Sequence, residues 1–235
     1  MRRTSALLSV LACVISAAVG CGGKSAPGTV STSTADVVPA TTTIPAAAWA
    51  DRNRLPLAET QHWPSLDTVA RPLSDGTSRI YQLCQTAPAD QERWQGDDAA
   101  RARVDNGAQG WSLQQQIIHY PGDTWTMGQA ADALFTALEN ALSHCATTAP
   151  GAQVTITSPA SRCEDIARGR CVRLAATIEI PDKQTSAHVY LSSPGSSVSE
   201  LSLWSSGASH VAWSAPSDRE VFAAMNPQLC TVWEC

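Results

Sequence analysis

The sequence predicts an α+β fold, in which an antiparallel sheet is flanked by helices within a single domain stapled by disulfides. Apolar residues alternate in three successive segments after residue 170, which is typical of strands with a buried face. Apolar residues at helical spacing follow residue 126, and an acidic residue three positions after Ser217 marks a second helix start. Six cysteines lie beyond residue 80, an even number that favours disulfide bonds.

The N-terminus has the features of a bacterial export signal. Arg2 and Arg3 form a positive region, and the apolar residues 5–19 follow it. The next residues, up to Cys21, resemble the lipobox of bacterial lipoproteins, although Ala stands at the third position before Cys21 where Leu is commoner. We therefore predict a signal peptide over residues 1–20 and lipid attachment at Cys21. The alternative is an ordinary cleaved leader with an incidental cysteine.

Low-complexity sequence follows the predicted lipid site. Residues 21–48 consist mostly of Gly, Ser, Thr, Ala, Pro and Val without periodicity. Such a segment buries too little apolar surface to offset the entropy of ordering it. We expect a flexible tether there, and a folded domain over residues 49–235.

The charge balance argues against a nucleic-acid partner. The chain carries a formal net charge of −5, which becomes −7 once Arg2 and Arg3 are removed with the leader. An acidic chain without a basic run is poorly suited to binding polyphosphates of DNA or RNA. No apolar run of about 18 residues follows the N-terminus, so the lipid at Cys21 is the expected attachment to the membrane.

Six cysteines remain in the expected mature domain. They are Cys84, Cys145, Cys163, Cys171, Cys230 and Cys235. Six cysteines allow 15 pairings, and the sequence does not choose among them. We favour Cys163 with Cys171 around a short charged loop, Cys230 with Cys235 at the C-terminus, and Cys84 with Cys145. A zinc site is the alternative, but the spacings typical of zinc ligands are absent from the sequence.

Residues 111–145 predict a strand, a turn and an amphipathic helix. The strand covers residues 111–120, and Pro121, Gly122 and Asp123 have turn chemistry. Thr126 and Gln129 fit a capping box, so we expect the helix to start at Thr126.

The elements around this stretch are predicted from shorter patterns. We expect a short helix over residues 63–70, an element of uncertain type over 78–84, and a solvated charged surface over 85–110. Strand 154–157 is expected to precede a helical turn over 161–168. Three alternating strands between residues 172 and 204 predict a meander with one buried face, which Val211 and Trp213 would extend. The last helix begins after Ser217 and is expected to stop at Pro227.

A search for catalytic and ligand-binding motifs finds no standard signature. The five histidines are scattered singly, and neither a nucleophile elbow nor a phosphate-binding loop occurs. We therefore expect no catalytic residues, metal site or cofactor. Residues that combine aromatic or polar groups near the predicted strand ends are the candidates for a ligand cleft. They are His119, Tyr120, Asp123, Trp125 and Tyr190.

Residues 111–145 also carry a resemblance to a known family. The run from Gln116 to Pro121, then Ala130, Ala131 and Phe135 on a helix, and then Cys145, resembles the PknH-type extracellular sensor domain of mycobacteria. The resemblance implies a lipoprotein or receptor-kinase sensor, with a sheet flanked by helices, disulfides, and a cleft for an unknown ligand. Six mature cysteines depart from the usual four, and the Leu-rich opening helix is missing.

These patterns predict a lipid-anchored, extracytoplasmic binding or sensor-like domain rather than an enzyme. Its ligand would be a small molecule or a cell-wall component, and signalling would need a protein partner in the envelope. One alternative is an envelope hydrolase that acts on cell-wall glycans with carboxylates such as Asp123 and Glu179. Another is a structural or assembly lipoprotein, which would present a large apolar patch.

Overall fold

The computed structural model describes residues 42–74, 77–87, 98–107, 110–164, 166, 169–207, 209–233 and 235. These residues belong to the unit Pro39–Cys235. The predicted signal peptide, Cys21 and the first part of the predicted tether lie outside the described residues. Within the described part, no helix is both long enough and apolar enough to cross a membrane.

Seven strands form one sheet in which every neighbouring pair is antiparallel, in the order β1-β2-β3-β7-β6-β5-β4. The strands are β1 (Ala70–Pro72), β2 (Asp98–Val104), β3 (Ser112–His119), β4 (Gln153–Arg162), β5 (Cys171–Ile180), β6 (Thr185–Pro194) and β7 (Ser197–Ser206). Helices cover both faces, so the predicted α+β class is confirmed.

The predicted meander exists as β5, β6 and β7, but the single buried face expected for it is wrong. Leu174, Ala176 and Ile178 point into one apolar cluster, as the alternation predicts. Ala175 and Tyr190 on the opposite face are also buried, in a second cluster. The alternation predicted an exposed second face because small and polar residues occupy it, but in the structure these residues are largely buried.

One face of the sheet is covered by α3 (Arg79–Cys84) and α4 (Thr124–Thr148). Leu134, Leu138 and Leu142 recur at helical spacing along α4, and each is about 1% exposed. Burial of each such side chain stabilises the fold by roughly 1.5–3 kcal/mol. Residues 78–84, whose type the sequence left open, are helical because the Ser78 side chain caps the first turn of α3.

The other face is covered by α5 (Asp218–Val232) and by the chain between residues 44 and 66, which includes the short helix α1 (Ala58–Gln61) and the start of α2 (Leu66–Val69). Ile44 and Ala48 are buried in this layer, so packing begins inside the predicted tether. Phe222 on α5 is fully buried and meets Tyr190 edge-on, with ring centroids 5.8 Å apart.

Two predicted helix boundaries are wrong. Helix α4 begins at Thr124, because the Asp123 carboxylate accepts the backbone N–H of Thr126 at 2.8 Å and acts as the cap in place of Thr126. Helix α5 does begin with the predicted capping box, but it continues through Pro227 to Val232. An interior proline costs about 3 kcal/mol, which burial of α5 residues on both sides of Pro227 offsets.

Three further predictions about local structure are wrong. Residues 98–104 of the expected charged surface form β2, and residues 161–162 of the expected helical turn belong to β4. Strand β4 is an edge strand that pairs with β5 through two register shifts, and this irregularity lets it run on past Pro159. Val211 and Trp213 do not extend the sheet, since they lie in the connection between β7 and α5.

All three favoured cysteine pairs are confirmed as disulfides. Cys84 and Cys145 join α3 to α4 with their Cα atoms 4.6 Å apart. Cys163 and Cys171 link β4 to β5, and Cys230 and Cys235 close the C-terminal loop.

Candidate ligand-binding surface

The five residues predicted to form a cleft are distributed over both faces of the sheet. His119 and Tyr190 face the layer that contains α5, where each ring packs against an aromatic side chain of that layer. Tyr120 is buried in the cluster beneath α4. Asp123 caps α4, and Trp125 in its first turn is 68% exposed. The structure therefore brings His119 and Tyr190 to one face and places the other three on the opposite side.

His119 is the centre of a polar row that crosses three strands. Asp98 on β2 and Ser197 on β7 stand directly opposite it in the sheet register. The Nδ1 atom of His119 lies 3.0 Å from the hydroxyl oxygen of Ser197, and Trp233 stacks on the imidazole with ring centroids 4.2 Å apart. Burial lowers the pKa of His119, and Asp98 opposes that shift.

The geometry of this row does not suit nucleophilic catalysis in the observed state. Ser197 is 1% exposed and His119 is 6% exposed, so a substrate has no approach to the serine. The ring of Trp233 covers the imidazole. A general base must be able to reach the reacting group.

A second histidine lies in an aromatic stack at the opposite end of β3. His188 stacks face to face on Trp213 with centroids 3.5 Å apart, and Trp111 lies 5.6 Å from the same imidazole. Burial lowers the pKa of His188 to about 4. Trp111 donates its indole N–H to the carbonyl of Val211 at 2.9 Å, which holds the connection before α5 against the sheet. These contacts pack the three rings against one another.

Four arginines gather on the α3 side of the sheet, beyond the strands that α4 covers. We call Arg71, Arg79, Arg101 and Arg103 the arginine surface. Arg71 on β1 stands directly opposite Arg101 on β2. Arg103 follows two residues later, so it projects from the same face of β2. Arg79, in the first turn of α3, reaches this group from the covering layer.

A groove of about 300 Å³ lies at these strands. Its described charged lining residues are Arg71, Arg101, Arg103 and Asp105. Arg103 forms an ion pair with Asp105 at 2.8 Å, but both side chains are about half exposed. Such exposed pairs contribute only about 0–1 kcal/mol and open readily. Arg71 has no carboxylate within ion-pair distance in the part of the chain that the structure describes.

Trp204 orients two of these guanidinium groups. The guanidinium carbon of Arg79 lies 4.0 Å from the centre of the Trp204 ring, and that of Arg103 lies 5.3 Å away. Burial and the nearby Arg103 lower the pKa of Arg79 to about 10, against the smaller opposing effects of Glu200 and Asp105. The Nε atom of Arg79 is buried and has no hydrogen-bond partner among the described residues. Arg79 is thus a partly buried cation, and no carboxylate lies within ion-pair distance of its guanidinium among the described residues.

A buried polar layer supports the arginine surface from below. Glu200 on β7 is 2% exposed, and it accepts hydrogen bonds from the backbone N–H of Arg79 at 2.9 Å and from the Ser202 hydroxyl at 2.9 Å. Burial raises the pKa of Glu200, although these hydrogen bonds oppose the shift. Gln116 stands beside Glu200 in the sheet and accepts from Arg101 at 3.2 Å.

Gln114 lies next along β3 and is fully buried. Neither its amide oxygen nor its amide nitrogen has a hydrogen-bond partner among the described residues. An unsatisfied buried polar group costs about 1–3 kcal/mol. In the sheet register Gln114 stands directly opposite Arg103, at the edge of the arginine surface.

The sequence contained a signal for this surface that our prediction did not use. In residues 98–104 the arginines alternate with alanines, and the alanines at 100 and 102 are fully buried. That alternation is typical of a strand with one apolar and one cationic face. The contributions of Arg71, Arg79 and Glu200 come from distant segments, and no local pattern places them together.

A larger groove of about 410 Å³ lies between the N-terminal segment and the start of α5. Its charged lining residues are Arg54, Glu59 and Glu220. The attraction of Arg54 is among the effects that lower the pKa of Glu220, after hydrogen bonds from Ser217. The positive charge in this groove is therefore already matched, which makes it a weaker candidate for a charged ligand.

Among the described residues, no group of three or more His, Cys, Asp or Glu side chains could hold a metal ion.

The two carboxylates considered for glycan hydrolysis, Asp123 and Glu179, each bond a different partner. Asp123 accepts from Thr126, and Glu179 accepts from Ser186 at 2.6 Å.

Comparison with known proteins gives no further guide to the site. No family model, curated protein or solved structure matches the chain.

Proposed function

We propose that the protein is a lipid-anchored, extracytoplasmic binding module and that the arginine surface is its ligand site. The observation that carries the proposal is that Arg71 and Arg103 line one groove, where Arg71 has no carboxylate within ion-pair distance among the described residues and Arg103 has only an exposed partner. The whole chain is acidic, with a net charge of −5. Cations gathered on one face of an acidic protein repel one another, and an anionic ligand would relieve that repulsion.

The location is supported by the sequence and by the disulfides. The charged and apolar N-terminal segment and the lipobox-like run before Cys21 favour export and lipid attachment. Three disulfides suit an oxidising compartment outside the cytoplasm. The resemblance of residues 111–145 to PknH-type sensor domains points in the same direction. A sensing role would further require an envelope protein partner to receive the signal.

The contacts of the other polar groups favour binding over hydrolysis. The Ser197–His119 pair is covered by Trp233, and Asp123 and Glu179 make separate hydrogen bonds. The groove at the arginine surface instead offers guanidinium groups, which bind carboxylates and phosphates through paired N–H donors. Its lining includes Ser74 and Asp105, but Arg103 holds Asp105 in an ion pair, and no histidine or cysteine lines the groove among the described residues.

The proposal is tested by native mass spectrometry of protein purified from its own envelope. Wild-type protein is expected to retain a ligand, as extra mass that disappears on denaturation. The double variant Arg71→Gln/Arg103→Gln should lose that mass. The control Arg219→Gln removes an arginine that is 76% exposed on α5, and it should keep the ligand. A ligand retained equally by all three proteins would place the site elsewhere, and no retained ligand in any of them would count against a binding module.

A further inference from the structure

We infer that the outer edge of β4 pairs with the same edge of a second copy of this chain. The pairing is antiparallel and places Thr155 of each copy on a two-fold axis that runs perpendicular to the sheet. The two seven-stranded sheets then join into one, with the α4 side of both copies on the same face. This inference goes beyond the proposed function, because β1 and β2, which carry the groove, lie at the opposite edge of the sheet.

The first support is that β4 is an edge strand with an open side. Its only neighbour among the strands that the structure describes is β5. An edge strand presents unpaired backbone N–H and C=O groups along its outer side, and a further strand can bond to them. Eight of the ten β4 residues are exposed and the other two are half-buried, so a partner strand can reach this edge.

The second support is that the two edges of the sheet are protected to different degrees. Natural edge strands avoid pairing by being short, by carrying charged residues or proline, or by bulging. At the opposite edge, β1 is three residues long and contains Arg71 and Pro72. Residues 153–157 of β4 contain neither a charge nor a proline. The register shifts against β5 begin only after Ile156, and Pro159 follows them, so these features confine the pairing to residues 153–157.

The third support identifies the partner as a second copy. Residues 150–161 contain no charged residue, although the chain has a net charge of −5. Two copies can therefore meet at this segment without placing like charges opposite each other. The segment also complements itself. With the axis at Thr155, this side chain faces Thr155 of the partner subunit, and Thr–Thr pairs are favourable cross-strand neighbours.

Ile156 supplies apolar surface to this contact. Its side chain is 42% exposed, and Trp125 is the only other large hydrophobic residue exposed in the described part of the chain. Val154 lies two residues earlier on the same face and packs partly against the cluster beneath α4. In the inferred pairing, Ile156 lies opposite Val154 of the partner subunit. Removing this apolar surface from water favours association.

The size of the contact predicts a weak dimer. Five residues from each copy are expected to bury less than the about 1,200 Å² that stable, specific complexes bury. Dimer formation should therefore depend on protein concentration over the micromolar to millimolar range. The proposed lipid anchor would raise the effective concentration of the copies by confining them to one membrane.

Sedimentation velocity measures this equilibrium with the mature chain that carries Cys21→Ser, at concentrations up to about 0.5 mM. Thr155→Lys and Thr155→Glu place like charges on the two-fold axis, and they are studied separately and as an equimolar mixture. The control Ala160→Lys adds the same charge to an exposed residue of the same strand beyond Pro159. Thermal unfolding confirms that each variant is folded.

We expect wild type to form dimers as its concentration rises. Each Thr155 variant alone should have a dissociation constant at least tenfold higher, because like charges directly opposite each other destabilise a strand pair. The mixture should dimerise as well as wild type, since a lysine then faces a glutamate across the axis. Ala160→Lys should behave as wild type.

Several results would overturn the inference. Wild type that stays monomeric at the highest concentration would exclude the dimer, and dimers that appear only after residues 22–41 are deleted would assign the edge to the tether. Equal dimerisation of wild type and the Thr155 variants would place the contact on another surface. A mixture as weak as the single variants would refute the two-fold register at Thr155. Failure of the proposed function is distinguished from these results by the retained ligand and its dependence on Arg71 and Arg103.

Discussion

The backbone N–H of Arg79 donates to the carboxylate of Glu200 at 2.9 Å, and the N–H of Ile80 donates to the same oxygen at 3.2 Å. The carboxylate of an inner strand therefore holds the first turn of α3 against the sheet. This contact also fixes the backbone position from which the Arg79 side chain reaches the arginine surface. The position of one cation in the site thus depends on one buried acid.

Glu200→Gln tests the protonation of this acid. Burial raises the pKa of Glu200 above 4.5, so its contribution to stability is complete below pH 4.5 and is lost as pH rises through the raised pKa. Glutamine does not titrate. The free energy of unfolding of Glu200→Gln, measured relative to wild type by urea denaturation, should therefore increase as pH rises from 4.5 towards neutrality. A difference in the free energy of unfolding between the two proteins that does not change with pH would contradict a raised pKa for Glu200.

His188→Phe tests the partly buried histidine that stacks on Trp213. Burial lowers the pKa of His188 from 6.5 to about 4, so its contribution to stability is present above pH 6.5 and is lost as pH falls towards 4. Across this window wild type should lose about 1–2 kcal/mol more than His188→Phe, which discounts the 1.36 kcal/mol for each pKa unit because the ring is partly exposed. Denaturation at several pH values measures the difference. The exposed His144→Gln variant is the control and should follow wild type, whereas equal slopes for all three proteins would refute the prediction.

The disulfides should differ in their contribution to stability. Cys84 and Cys145 are 61 residues apart, whereas Cys230 and Cys235 are 5 residues apart. In the chain-entropy treatment the longer loop stabilises the fold by about 4 kcal/mol and the shorter one by about 2 kcal/mol. Paired replacement by alanine should therefore lower the free energy of unfolding more at the first bridge. A larger loss at the C-terminal bridge would show that its role in holding Trp233 outweighs the loop entropy.

The start of α4 can be tested by two substitutions that distinguish the observed cap from the one that the sequence suggested. Asp123→Ala removes the side chain that accepts from Thr126 and should lower the unfolding midpoint. Gln129→Ala removes the residue that the predicted capping box would need, and it should leave the midpoint unchanged because the helix begins at Thr124. Thermal unfolding of both variants distinguishes the two caps. A lower unfolding midpoint for Gln129→Ala alone would support a helix that starts at Thr126.

Much of the fold was predictable because its signals are local. Alternation identified β5, β6 and β7, and the serine at 217 with the glutamate at 220 identified the start of α5. The predictions failed where a tertiary contact decides the outcome. Pro227 was expected to end α5, but apolar burial on both sides keeps the helix intact.

The candidate site was less predictable because its parts come from four separate segments. Arg71, Arg79, Arg103 and Glu200 belong to β1, α3, β2 and β7, and only the folded sheet brings them together. Sequence reasoning instead favoured aromatic residues at strand ends. Two of these, His119 and Tyr190, serve the packing of α5. Clustered cations in a folded sheet have no fixed spacing along the chain that a motif could capture.

The most direct test of where this module is located is the intact mass of the protein. The protein is isolated from its own membranes and alkylated without prior reduction. The account predicts a chain that begins at Cys21, carries the added mass of lipid on that residue, and takes up no alkylating reagent at the six later cysteines. A chain without lipid mass, or one alkylated at Cys84, Cys145 and the other four thiols, would contradict an anchored domain that is oxidised outside the cytoplasm.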